Sequence, residues 1–256
     1  MESKLKTFAA IDVGSYELAM KIFEFSPKTG MKEIDHIRHR IDLGNDTFAA
    51  GKISYEKVDE LCSILREFAD IMKTYRVEGY KAYGTSAIRE TDNTAIILDQ
   101  IRQRTGISIG VLSNSEQRFL DYKSIALKSA DFGKIIEKGT AILDIGGGSI
   151  QLSLFDKDTL VATQNLRIGV LRLQELLDKL NVKPSKHEGL LEEMIDSQLS
   201  VFKRMYLKDR NVENIIVVDD YVSMLLQKRI AGSQRSGYVD SEGYGRFMEY
   251  LRTHSK

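Results

Sequence analysis

Two short segments carry the residues best suited to chemistry. Asp12-Val13-Gly14-Ser15 closes the apolar run 7–13 (TFAAIDV), and Asp144-Ile145-Gly146-Gly147-Gly148-Ser149 closes the run 140–145 (TAILDI). Glycine lets the main chain come close to a ligand, and successive N–H groups can then converge on an anion. Ser15 and Ser149 add hydroxyl donors. The aspartate before each turn cannot hold a phosphate directly, but it can hold a divalent cation that does, often through water. Asp and Gly are also common in ordinary hairpin turns, and alone the first segment reads as one. Three consecutive glycines after a buried-looking strand cost more conformational entropy, and a bound group pressed against the main chain explains them best.

Two further positions belong with these turns. Gly84-Thr85-Ser86-Ala87-Ile88-Arg89 lies where a strand passes into a helix. Ser86 stands at a helix start, which favours an anion, and Arg89 lies one turn on with a forked donor. Simple capping plus a surface arginine is the competing reading. Glu116 opens a later helix, where a carboxylate can orient and deprotonate a water. Without further information it reads as a solvated helix-start glutamate. His36, His39, His187 and His254 share no metal spacing and read as surface residues. No Ser-His-Asp or zinc pattern is present, and the 146–149 turn lacks the Lys-Ser/Thr ending of a P-loop.

The elements that must position these residues form a pattern that repeats. Residues 7–13 and 18–25 predict a hairpin turning at 14–17, with a third strand over 33–43. Ser54 is placed as an N-cap, and Val58, Leu61, Cys62, Leu65, Phe68, Ala69 and Met72 mark one face of a long helix. A strand at 80–85, a helix from Ser86 to about Thr105, a strand at 107–112 and a helix at 113–130 follow. Strands at 140–145, 150–155 and 160–164 then begin the layout again, with helices at 170–180 and 186–206. A strand at 214–219, a helix at 221–229 and a polar tail with a short amphipathic segment complete it. Two blocks opening with apolar strand, Asp, apolar residue, Gly and a second strand point to a duplicated architecture. The expected division is 1–128 and 129–256.

Bulk composition excludes several classes. The chain has 256 residues, long enough for two domains of ordinary size. Lys+Arg and Asp+Glu both number 37, so net charge gives no attraction to DNA and an anion site must be built locally. Cys62 is the single cysteine, which excludes an intrachain disulfide and suits a cytoplasmic setting. No apolar run approaches bilayer-spanning length and no signal-peptide pattern opens the chain, so no membrane partner is expected.

Taken together, these residues resemble the exopolyphosphatase and guanosine pentaphosphate phosphatase family, a branch of the actin, hexokinase and Hsp70 superfamily. The resemblance rests on Ala10-Ile11-Asp12-Val13-Gly14-Ser15, Leu43-Gly44, Thr85-Ser86-Ala87-Ile88-Arg89 with Asn93, the stretch 113–118, the stretch 144–149, and Ile168-Gly169-Val170 with Arg172. It implies an α/β fold of two ribonuclease-H-like lobes with the site in the cleft between them. By position it implies Asp12 and Asp144 at a Mg²⁺, and Gly14, Ser15, Ser86, Arg89, Gly146, Gly147, Gly148 and Ser149 around phosphate. Glu116 would be the catalytic residue that activates water. The implied reaction is hydrolysis of a terminal phosphoanhydride of polyphosphate or of a guanine nucleotide alarmone. A second copy of the chain is a further optional partner.

Three places depart from the family pattern. Tyr16-Glu17 replaces the usual Asn-Ser, Ile150-Gln151 replaces Thr-Glu, and Asp219-Asp220-Tyr221 stands where a third glycine-threonine turn belongs. A later helix returning to the first lobe is not visible, so the second lobe is expected to be C-terminally truncated. The departures keep an alternative open, a phosphate- or nucleotide-binding regulatory homologue with little or no turnover. A phosphotransferase is a third option, against which the 85–89 motif and Glu116 argue.

Overall fold

The computed structural model describes residues 5–28, 30–218 and 239–254. By internal contacts, Met1–Ile216 form one unit and Val217–Lys256 another.

Strands β1 (Lys6–Val13), β2 (Glu17–Ser26) and β3 (Gly30–Arg40) form an antiparallel meander. Strands β4 (Gly79–Gly84) and β5 (Gly110–Val111) add on parallel, giving the order β3-β2-β1-β4-β5. Alternation fixes which face is buried: Ala9, Ile11 and Val13 of β1 and Leu18, Met20 and Ile22 of β2 all lie in the core. Against that face pack α2 (Tyr55–Thr74), through Leu61, Leu65 and Phe68, and α4 (Thr94–Thr105), through Ile97 and Ile101. Ser54 caps α2 as its sequence demands, accepting from Lys57 N–H, and its own hydroxyl donates to Asp46.

The second sheet repeats the first. Strands β6 (Thr140–Ile145), β7 (Ile150–Asp156) and β8 (Thr159–Leu166) form an antiparallel meander, and β9 (Asn214–Val218) lies on the far side of β6, giving β8-β7-β6-β9. Its smaller core joins Ala141, Leu152, Leu154 and Ala162 to Phe202 of α8 (His187–Phe202). The fold is therefore α/β with two ribonuclease-H-like sheets of matching strand order. Helix α7 (Val170–Lys179) follows β8, and α5 (Asn114–Lys128) and α6 (Phe132–Ile136) connect the two sheets. In the second unit, α9 (Ser241–His254) begins at Asp240, whose side chain accepts from Gly243 N–H at 2.7 Å.

Several boundaries differ from expectation for identifiable reasons. β3 covers residues 30–40, and residues 43–50 form a helix, α1 (Leu43–Ala50), that hydrophobic period alone did not reveal. The helix expected from Ser86 to Thr105 is two helices, α3 (Ser86–Glu90) and α4. Thr91 is extended there, and Thr91 and Asn93 turn their side chains to the backbone of Ile53 instead. Such side-chain-to-backbone bonds compete with helix continuation. The expected helix at 186–206 is α8 preceded by a 3₁₀ turn and followed by a π turn, Lys203–Leu207. The expected helix at 221–229 and the Asp219-Asp220-Tyr221 segment lie outside the described residues.

Candidate functional site

The two glycine turns are built alike. In the first, Gly14 N–H donates to Glu17 O at 3.0 Å, and in the second Gly146 N–H donates to Ser149 O at 3.0 Å. Each aspartate stands two residues before its turn glycine, Asp12 paired with Ala19 and Asp144 with Gln151. The same closure and register in both sheets make the turns structural equivalents.

The structure brings these turns into contact. A Cβ added to Gly147 would stand 3.2 Å from Ser15 Cβ, and one added to Gly148 would stand 2.9 Å from Ser86 Cβ and 2.5 Å from Phe48 Cζ. Only glycine allows that approach at Gly148. Ser15, Ser86 and Ser149 are all buried. Ser15 Oγ accepts from Ala87 N–H at 3.1 Å and donates to Ser86 Oγ at 3.5 Å, so the first turn and the start of α3 are one assembly. The N–H groups of Ser15, Tyr16, Gly147 and Gly148 have no acceptor among the described residues. Unpaired amides on two turns in contact make a local positive potential without net charge.

Arg89 lies beside this assembly. Its Nη1 donates to Leu112 O at 2.6 Å, while its Nη2 is buried without a partner among the described residues. Burial lowers the guanidinium pKa, opposed only in part by Glu90. A desolvated cation with one donor unused is an anion-receptive group.

Helix α5 supplies the other wall. Its Gln117 donates from Nε2 to Asp144 Oδ2 at 2.8 Å, and the buried Gln151 donates to the same oxygen at 3.1 Å. Arg118 Nη1 donates to Gln151 Oε1 at 3.4 Å, and Tyr122 OH donates to Ser153 Oγ at 2.6 Å. Glu116 precedes Gln117 on α5. It is exposed and forms a capping box: its carboxylate accepts from Ser113 N–H at 2.8 Å, and Ser113 Oγ accepts from Glu116 N–H at 3.2 Å. The Ser113 hydrogen bonds lower its pKa. Ser113-x-x-Glu116 is a capping signature legible in the sequence, so helix nucleation accounts for this glutamate. Gln117 of α5 reaches the second aspartate.

One residue escaped sequence reasoning. Asp121 lies one turn beyond Gln117 on α5, with Oδ2 buried and unpartnered among the described residues. Its pKa is pushed up to about 7, first by desolvation and then by the charges of Asp144 and Asp12, with Arg118 opposing. Three carboxylates thus share one field. Among the described residues, however, no three His, Cys, Asp or Glu side chains converge closely enough to form a metal cluster. No helix of the described residues is long and apolar enough to cross a membrane.

Known proteins share both the sequence and the fold. Residues 22–251 match the Ppx/GppA phosphatase family. Exopolyphosphatase 1 of Mycobacterium leprae is 28% identical over 192 residues, covering 74% of this chain and 55% of that protein. A guanosine-5'-triphosphate,3'-diphosphate pyrophosphatase of Aliivibrio fischeri is 25% identical over 162 residues, covering 63% of this chain and 31% of that protein. The chain thus spans about half the length, or less, of these curated relatives. In structure, an exopolyphosphatase from Cytophaga hutchinsonii superposes with a TM-score of 0.76 at 18% identity, covering 97% of this chain and 80% of that one. The Aquifex aeolicus Ppx/GppA family member gives 0.69 at 20% identity, covering 98% and 79%. The family match spans most of the chain, and the shared fold agrees with it: the chain belongs to the Ppx/GppA phosphatase family.

Proposed function

We propose that this chain is the site-bearing part of a phosphoanhydride hydrolase that removes terminal phosphate from polyphosphate or guanosine pentaphosphate. The observation that carries this reading is the meeting of the 14–17 and 146–149 turns, with Ser15 against Gly147 and unpaired amides on both. In this reading those amides hold phosphate oxygens, and Gly14 and Gly146 close the turns that present them. Ser86 and Ser149 supply hydroxyls, and Arg89 Nη2 takes a further oxygen. The names of the relatives support the substrate class. The single buried Cys62 suits a cytoplasmic setting.

A divalent cation fits the charge arrangement. Asp12 and Asp144 both add to the rise in the Asp121 pKa, with Arg118 opposing them, so a cation among these carboxylates would be electrostatically favoured. Asp12 and Asp144 would hold the ion, Mg²⁺ in our reading, with its remaining positions left to water and phosphate oxygens, as Mg²⁺ prefers. When bound, it neutralises the negative charge that develops on the transferred phosphoryl group. Glu116 is held in its capping box, so in this reading proton acceptance from the attacking water falls to Asp121, whose buried Oδ2 has no partner among the described residues.

One specific observation favours a second reading. Asp144 meets the neutral amides of Gln117 and Gln151. A phosphate-binding regulatory homologue with negligible turnover would keep the amide site and lack a strong base. Phosphate release from polyphosphate and guanosine pentaphosphate, with and without Mg²⁺, separates the two. The hydrolase reading expects Mg²⁺-dependent release that falls by about 10²–10⁴ in Asp121→Asn, the usual worth of a general base. Binding of these substrates without release in the presence of Mg²⁺ would replace it by the regulatory reading.

A further inference from the structure

Three successive carbonyls of the 146–149 turn are held from one side. Gly146 O accepts from Val170 N–H at 3.3 Å, Gly147 O from Leu171 N–H at 2.9 Å, and Gly148 O from Arg172 Nε–H at 2.7 Å. A trans peptide is planar, with its C=O and N–H pointing in opposite directions. Holding these carbonyls therefore turns the N–H groups of Gly147, Gly148 and Ser149 away from α7. Gly169 fits this docking because a Cβ there would fall 2.4 Å from the Gly147 carbonyl. The amides of the second turn are thus aimed from behind by the first residues of α7.

Two of the three donors are backbone groups of α7 itself. Arg172 differs, because its other contacts belong to the first sheet's elements. Its Nη2 pairs with Glu90 at the end of α3, and its guanidinium stacks on Phe48 of α1 at 3.8 Å. Glu90 also meets Arg167 at 2.6 Å, but the Arg167 side chain is 67% exposed, against 17% for Arg172. Screening weakens the exposed pair far more, so Arg172 dominates. Phe48 also touches the turn directly, since its ring occupies the space a Gly148 side chain would need.

We propose that Arg172 is a positioning residue, coupling engagement of Glu90 and Phe48 to the orientation of the second phosphate turn. The inference rests on the phosphate-binding reading of that turn. While Glu90 and Phe48 hold the guanidinium, the Gly148 carbonyl stays turned back and the Ser149 N–H of the same peptide stays turned away from α7. When the two sheets' elements part, the guanidinium loses its supports and the turn is released. Closure and anion affinity are then one event, because a fork of fixed geometry makes both contacts at once. Lysine, a point donor, cannot reproduce this.

The test combines hydrogen exchange on the ligand-free protein with calorimetry using tripolyphosphate. In Arg172→Lys and in Glu90→Gln, exchange in the 146–149 segment should rise about tenfold, with the β6–β7 ladder unchanged. Tripolyphosphate should bind about tenfold more weakly. Where phosphate release is measured, KM should rise with kcat little changed, a split that general destabilisation would not give. Glu90→Gln leaves the Arg172 side chain itself unaltered and removes only its support, so it decides the matter even where Arg172→Lys folds poorly. Exchange within twofold of wild type in Glu90→Gln would overturn the coupling. Failure of the wild-type chain to bind tripolyphosphate would instead refute the phosphate reading, while the exchange measurement, which needs no ligand, still decides the coupling.

Discussion

Ser15 and Gly147, from equivalent turns of two different sheets, lie so close that a methyl group on Gly147 would stand 3.2 Å from the Ser15 Cβ. The contact is tighter still one residue on. Gly148→Ala would place its Cβ 2.5 Å from Phe48 Cζ and 2.9 Å from Ser86 Cβ. Overpacking of that kind costs about 1–3 kcal/mol. In a chain of this size that corresponds to a Tm lower by about 2–4 °C per kcal/mol. The variant should also bind tripolyphosphate at least tenfold more weakly. Thermal unfolding and calorimetry check both effects, and unchanged affinity would show that the ligand does not depend on contact between the turns.

Arg89 is half-committed. One nitrogen serves Leu112 O and the other, buried, serves none of the described residues. Arg89→Gln should therefore weaken tripolyphosphate binding by about 1.5–3 kcal/mol, the worth of a hydrogen bond to a charged group. Arg89→Lys should recover little, because lysine lacks the fork that spans both partners. Calorimetric affinities of the two variants against wild type are the measurement.

Glu116 and Gln117 are adjacent but do different things. Glu116→Gln weakens the start of α5 and should leave affinity and phosphate release within about threefold of wild type, because capping is a local stability effect. Gln117→Glu places a carboxylate beside Asp144, where a bound cation or a shared proton must reconcile the two charges. That variant should need more Mg²⁺ for stability and for any phosphate release. Mg²⁺ titrations followed by Tm and by released phosphate distinguish the two substitutions. A loss of release in Glu116→Gln with folding intact would return the catalytic role to Glu116.

Asp121 makes stability fall with pH. Its folded pKa, about 7, lies above its unfolded value of 3.8. Between those values the native chain holds a proton that the unfolded chain has released, so stability declines as pH rises through the window and the full penalty is present above 7. Asp121→Asn removes the penalty. Its Tm should exceed that of wild type at pH 8 by about 4–8 °C, the shift expected of ~2 kcal/mol in a chain of this size. At pH 4 the two proteins should unfold together. Added Mg²⁺ should narrow the gap at pH 8, since a cation near Asp12 and Asp144 offsets the part of the shift that their charges add to that of desolvation.

The turns, the strands of both hairpins and the doubled layout were legible in the sequence because each rests on local chemistry: an Asp-x-Gly turn, a period of two, and the Ser54 cap. The Glu116 capping box was legible but passed over, and the surroundings of Asp121 were not legible at all. Glu116 carried its own explanation in Ser113-x-x-Glu116, a capping signature that competes with any catalytic role. Asp121 sits four residues after Gln117, a spacing that places both on one helix face, but nothing local shows that this face meets Asp144. That proximity arises only when α5 packs on the second sheet. The break at Thr91 was hidden similarly, since its side chain answers to Ile53, 38 residues earlier.

Amide-resolved NMR during a tripolyphosphate titration tests the central claim most directly. The two-turn account predicts that the Ser15 and Tyr16 amides and the Gly147 and Gly148 amides all shift, with a single shared Kd. Shifts confined to one turn, or two sets with different Kd values, would contradict it.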